Sequence, residues 1–158
     1  MPRTPLPWLL LSLCLLSLAA CARDSDRGRD CAPQVRDGWV RMPPGPMTAA
    51  MPMMAGFGRI ENRCPMPATI VSASSPAFGG TSLHETRIVD GVSRMRPVPD
   101  LRIAPDDAAV LKPGGLHLML MQPRAPLKAG SKVAVEFKLQ DGRTVLGEFE
   151  VRRPGAPE

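Results

Sequence analysis

Apolar and polar residues alternate with period two over residues 132–139 (KVAVEFKL) and again over 144–151 (TVLGEFEV), with Asp141-Gly142 between them. Period two places every second side chain on one face, so both stretches predict half-buried strands joined by a tight turn. Residues 55–61 (AGFGRIE) alternate in the same way and end at Asn62-Arg63, and residues 68–72 (ATIVS) are rich in β-branched side chains. Residues 83–89 and 92–98 flank Asp90-Gly91, the strongest hairpin signal in the chain. Residues 38–42 open the folded part, and Pro43-Pro44-Gly45-Pro46 interrupts it. Residues 108–111 run into Lys112-Pro113-Gly114-Gly115, a turn, and residues 116–121 (LHLMLM) form a further strand candidate. No amphipathic helix of useful length and no repeat stands out. Short strands separated by turns predict a single all-β domain, a sandwich or a barrel.

The first residues depart from this pattern. Arg3 precedes an apolar run at 8–18 (WLLLSLCLLSL) that suits a secretory leader and is too short to span a bilayer as a helix. Leu18-Ala19-Ala20-Cys21 follows. Small residues mark a signal-peptidase site, and a cysteine in the next position resembles the lipobox of bacterial lipoproteins. The resemblance implies that residues 1–20 are removed and that Cys21 becomes the lipidated N-terminus, anchoring the protein to the membrane. Each buried CH₂ of an acyl chain is worth ~0.8 kcal/mol, and two or more chains hold a protein stably. Residues 21–30 are charged and nearly devoid of apolar side chains, a flexible tether. Residues 31–151 form the folded domain, and 152–158 a polar tail. The expected location is the periplasmic side of a bacterial membrane. Ala22 after Cys21 favours the outer one, on the sorting habit of Gram-negative lipoproteins.

Composition narrows the chemistry. The 158 residues suffice for one domain. Nineteen Pro and 14 Gly argue against long helices. The net charge of +5 is spread without a basic run, and aromatic residues are 4% of the chain, so nucleic acid is not an expected partner. No nucleophile elbow, Cys-His pairing or phosphate loop is present, so the chain does not read as an enzyme. Of the four Cys, Cys14 lies in the leader and Cys21 at its end, leaving Cys31 and Cys64. In an oxidising compartment a disulfide between them is the simplest reading, and a thiolate metal ligand is the rival.

The two His and ten Met carry the remaining signal. With a two-residue loop at Asp90-Gly91, Val89 pairs with Val92 and Thr86 with Met95. His84 then shares a face with Thr86 and lies diagonally from Met95, within reach of a shared ligand. His117 and Met119, at i and i+2, face together, opposite Leu116, Leu118 and Leu120. Two imidazoles and two thioethers form a His₂Met₂ set. Thioethers are soft ligands that select Cu(I), so a metal bound here would be copper.

Ten residues separate His84 from Met95, 21 separate Met95 from His117, and one separates His117 from Met119. This His-x₁₀-Met-x₂₁-His-x-Met pattern resembles the signature of the periplasmic copper chaperones called PCu(A)C. Trp39-Val40-Arg41, Leu83-His84-Glu85, Met95-Arg96-Pro97-Val98, the block from Leu111 to Leu120 and Leu127-Lys128-Ala129-Gly130 resemble the family as well. The resemblance spans about 37–151. It implies a cupredoxin-like Greek-key β-sandwich that binds Cu(I) near its surface through His84, Met95, His117 and Met119. It also implies delivery of copper to the Cu(A) subunit of cytochrome c oxidase, alongside Sco-type thiol proteins. Copper buffering without a dedicated client is the alternative. The lipobox, Cys31 and Cys64, and a cluster of Met47, Met51, Met53 and Met54 depart from the family pattern. That cluster, and Met121 on the face of Met119, read either as packing or as additional copper ligands.

Overall fold

The computed structural model describes residues 31–44 and 53–156. The leader, Cys21, the tether, Met47, Met51 and the last two residues lie outside the described residues. Ten strands follow one another: β1 (Gln34–Arg41), β2 (Met53–Asn62), β3 (Ala68–Ser74), β4 (Phe78–Val89), β5 (Val92–Pro97), β6 (Leu101–Ile103), β7 (Asp107–Leu111), β8 (Leu116–Pro123), β9 (Lys132–Leu139) and β10 (Thr144–Arg152). They hydrogen-bond in the order β5-β4-β8-β2-β1-β10-β9-β3-β6, with β7 also on β2. The result is the expected all-β, cupredoxin-like sandwich, with its strands bonded into one continuous path.

Strand β2 joins the two halves. Its first part, Met53 to Gly56, pairs with β8, and its second part, Gly58 to Asn62, pairs with β7. The change of partner falls at Gly58, whose φ of 147° lies where side chains are disfavoured. A Cβ there would sit 3.0 Å from Gly38 Cα on β1, which is itself bulged between Arg36 and Trp39. The bulge sets the register in which Trp39 lies opposite Phe57.

Period two then sorts the side chains. Val40, Leu118, Leu120, Val135, Phe137, Phe149 and Val151 fill the interior. Leu118 and Leu120 are fully buried, as the alternation in 116–121 predicts. Two segments were not legible in the sequence. Strand β6 has only three residues, and β4 begins at Phe78 rather than near residue 83, because Gly79-Gly80 carries no strand signal.

Two polar features mark the core. Asn62 is completely buried. Its Nδ2 donates to the carbonyls of Met66 (2.9 Å), Ile103 (3.2 Å) and Ala104 (3.1 Å), and its Oδ1 accepts from Cys64 N–H (3.2 Å). Cys31 and Cys64 are disulfide-bonded. Closing the loop between them is worth ~3.7 kcal/mol in the chain-entropy account. The buried Thr81 hydroxyl, by contrast, has no hydrogen-bond partner. Thr81→Val, which keeps the shape and removes the orphaned hydroxyl, is expected to stabilise the fold by ~1 kcal/mol. Denaturant unfolding that shows Thr81→Val weaker than wild type would contradict this.

Candidate metal centre

The candidate ligands come together through two strand registers, one local and one long-range. In the β4–β5 hairpin Val89 pairs with Val92 and Thr86 with Met95, the register expected from the two-residue turn. On the other side of β4, β8 runs antiparallel with His84 opposite His117 and Ser82 opposite Met119. Residues at even spacing share a face, so His84, His117, Met119 and Met95 all project from one side of the β5-β4-β8 ribbon. Glu85 and Arg96 belong to the other side, where Glu85 pairs with Arg87 (2.8 Å) and Arg96 (3.1 Å).

The two imidazole centroids are 6.3 Å apart, with planes inclined by 40°. A metal–imidazole bond of about 2.0 Å places an ion roughly 3 Å from a ring centre, so two rings on one ion lie at most roughly 6–6.5 Å apart. The observed 6.3 Å is at that limit, which belongs to rings on opposite sides of the ion; a tetrahedral four-donor site brings them to roughly 5 Å, so the two rings must close by about 1 Å to share an ion. Among the described residues, no three His, Cys, Asp or Glu side chains are grouped to hold a metal. This face therefore reaches four donors only by including its thioethers. All four are neutral, a set suited to a soft monovalent ion.

Each imidazole is held by its surroundings. His117 Nδ1 lies 2.9 Å from the Gly115 carbonyl. A carbonyl only accepts, so Nδ1 carries the proton and Nε2 keeps its lone pair for a ligand. His117 is buried, and the Phe57 ring lies 6.5 Å away, itself packed at 4.6 Å against Trp39 with the two planes inclined by 43°. The Arg41 guanidinium covers both rings, 4.9 Å from Phe57 and 5.4 Å from Trp39. These aromatic groups form a dry flank on the β1–β2 side. His84 Nε2 is 3.1 Å from Ser82 Oγ. Met119 has the small Ala55 and Ser82 as its cross-strand neighbours. Met95 is 55% exposed and forms the open edge of the group.

Burial, and secondarily the nearby His117, lowers the pKa of His84 below the ordinary imidazole value of 6.5. The folded protein therefore takes up a proton at His84 less readily than the unfolded chain does. As pH falls through 6.5 towards the folded-state pKa, the metal-free fold loses stability, and below that pKa the loss is complete. Metal-free protein is expected to melt at a lower temperature at pH 5 than at pH 7. His84→Gln should flatten that dependence, and an unchanged slope in this variant would count against His84 as the source.

The hairpin register, and hence the His84–Met95 relation, was visible in the sequence. The alignment of His84 with His117 was not, because it depends on which strand lies beside β4. The supporting roles of Ser82, the Gly115 carbonyl and Phe57 were also not visible, since none carries a local motif.

The fold is that of the PCuAC domains. An apo PCuAC domain from PmoF1 matches with a TM-score of 0.61 at 17% identity, covering 79% of this chain and 98% of that one. Apo-DR1885 from Deinococcus radiodurans matches with a TM-score of 0.57 at 27% identity, covering 80% and 82%. Its Cu(I) form matches with the same score at 28% identity, covering 79% and 82%. In sequence, residues 34–151 match the family described as "LpqE-like: Putative lipoprotein LpqE-like". "Putative lipoprotein Lxx21020" of Leifsonia xyli subsp. xyli is 36% identical over 139 residues, 86% of this chain and 80% of that protein. The chain belongs to the LpqE-like family.

Proposed function

We propose that this protein is an exported, lipid-anchored copper carrier that binds one Cu(I) through His84, Met95, His117 and Met119. The observation that carries the reading is the pairing of His84 with His117 across β4 and β8, with both thioethers on the same face. The Cu(I)-bound form of DR1885, at 28% identity, supports the choice of metal. The lipoprotein descriptions of the family and of the Leifsonia relative support the anchor at Cys21, with residues 1–20 as leader and 21–30 as tether. A carrier must hold its cargo and release it. Neutral ligands with one exposed member, Met95, suit that task better than a closed thiolate site. No general base or activated water is needed, and the role is not enzymatic.

The copper is passed to a client on the periplasmic side, the Cu(A) subunit of cytochrome c oxidase or a Sco-type thiol protein. Titration of metal-free protein with Cu(I) against a competing chelator tests the site. One tight equivalent is expected, and it should be lost in the His117→Ala, Met119→Ala double variant. Unchanged affinity in that variant would sink the assignment. Incubating the Cu(I) form with apo-Cu(A) domain or reduced Sco-type protein tests delivery. Transfer within minutes is expected of a chaperone, whereas retention against every client would make the protein a copper buffer.

A further inference from the structure

The methionines beyond the four proposed ligands are sorted by the β2–β8 register. Met54 is buried in the core and is packing. Met53 is not: it is 42% exposed and lies opposite Met121. One step along the same two strands, Ala55 lies opposite Met119. Met53, Met119 and Met121 therefore project from the same face as His117, on successive rows. On the far side of β8 the row of Met121 continues to Gly80 of β4. A Cβ at Gly80 would stand 3.1 Å from the Met121 methyl carbon. The absent side chain at Gly80 thus leaves the space against which the Met121 thioether packs.

We propose that Met53 and Met121 form a second, weaker site for a soft monovalent metal, Cu(I) or Ag(I), with Met119 as a ligand shared between it and the histidine site. Its position beside that site rests on the reading under Proposed function; its own ligands do not include either histidine. Directly opposed strand residues have Cβ atoms about 4.5–5.5 Å apart, and diagonal neighbours about 7–8 Å, distances that unbranched thioether side chains bridge easily. The donors are all sulfur, so the pair discriminates against Zn(II), Mg(II) and Ca(II). Core packing does not account for Met53, because nearly half of that residue is exposed. Met119 is flanked by the small Ala55 and Ser82, so no bulky cross-strand neighbour separates it from either row. A metal ion held at Met53 and Met121 is one ligand exchange away from the histidines, which makes the second site a station for entry or exit.

The test is a titration of the disulfide-intact protein, labelled with ¹³C at its methionine methyls, with Ag(I) and in parallel with Cu(I) kept reduced by a non-thiol reductant that leaves the disulfide closed. The first equivalent should shift the Met95 and Met119 methyls. The second should shift Met53 and Met121 together and move Met119 again. The variant Met53→Leu, Met121→Leu should keep first-equivalent affinity within about twofold and lose the second equivalent. The proposal fails if the Met53 and Met121 methyls stay fixed through the second equivalent. It also fails if that equivalent shifts only Met47 or Met51, or if a folded double variant still takes two. The methyl shifts of the unsubstituted protein decide the matter even if the double variant does not fold. If Met53, Met119 and Met121 respond while Met95 stays unmoved at every equivalent, the histidine-site reading fails and the thioether site stands.

Discussion

Replacing His84 and His117 together by alanine is expected to weaken Cu(I) binding more than about a thousandfold, ~4 kcal/mol at the usual 1.4 kcal/mol per decade. The two rings stand on directly opposed residues of β4 and β8 with centroids 6.3 Å apart, close enough for one ion to draw both in as ligands. Removing both leaves only thioethers on that face. Loss of one thioether should cost less. Met95 is 55% exposed, so its partners can rearrange around a missing edge ligand, and Met95→Leu should lower affinity by roughly tenfold. Glu85→Gln, on the opposite face of β4, should leave affinity unchanged. Competition titrations of these three variants separate a specific site from general softness of the protein surface. Equal affinities for wild type and the double histidine variant would remove the basis of the proposed function. The fold itself should survive, because His84 is only partly buried and His117 lies at the end of the aromatic flank rather than in the main core.

The largest effect on stability is expected at Asn62. Its amide nitrogen serves three backbone carbonyls, and its oxygen takes the Cys64 N–H beside the disulfide. Asn62→Leu would leave these buried groups unpaired, at about 1–3 kcal/mol each for those that water cannot reach, so a loss of ~3–5 kcal/mol is expected. Asn62→Asp goes further. It keeps the shape but turns an oxygen towards the carbonyls of Met66, Ile103 and Ala104. The ionised carboxylate would be buried among acceptors, so its folded-state pKa would rise above the unfolded value. With a raised folded pKa, the carboxyl binds its proton more tightly in the fold, so stability falls as pH rises through and beyond the unfolded carboxyl range. Asn62→Asp should therefore be much less stable than wild type at pH 7 and partly recover at pH 4. Denaturant unfolding at the two pH values checks this. A variant as stable as wild type at pH 7 would show that the amide is replaceable.

Asn62 also shows where sequence reading ends. Asn62-Arg63 reads as a strand terminus, and nothing local says that its amide will reach β6 and the loop after it. The acceptors Ile103 and Ala104 are distant in sequence, the first ending a three-residue strand with no signal of its own and the second just after it. The methionine cluster behaves similarly. Met53 and Met54 are adjacent and chemically identical, yet one lies in the core and the other on the metal face. Period two requires that they face opposite ways, but only the pairing of β2 with β8 decides which is which.

The sequence by itself determined the all-β class and nine of the ten strands, the hairpin register that sets Met95 beside His84, and the separation of His117 and Met119 from the leucines around them. All of these follow from local alternation, turn chemistry or counting, which act over a few residues. Only the tertiary structure decided that β8 lies against β4 with His117 opposite His84, and that Met53 stands beside Met121. Those alignments join segments far apart in the chain. They are selected by how the buried faces of the strands, Leu83, Leu118 and Leu120 among them, pack into one core. A one-residue slip would turn every one of those side chains to solvent. The packing of the inner face therefore sets the register that assembles the donors on the outer one.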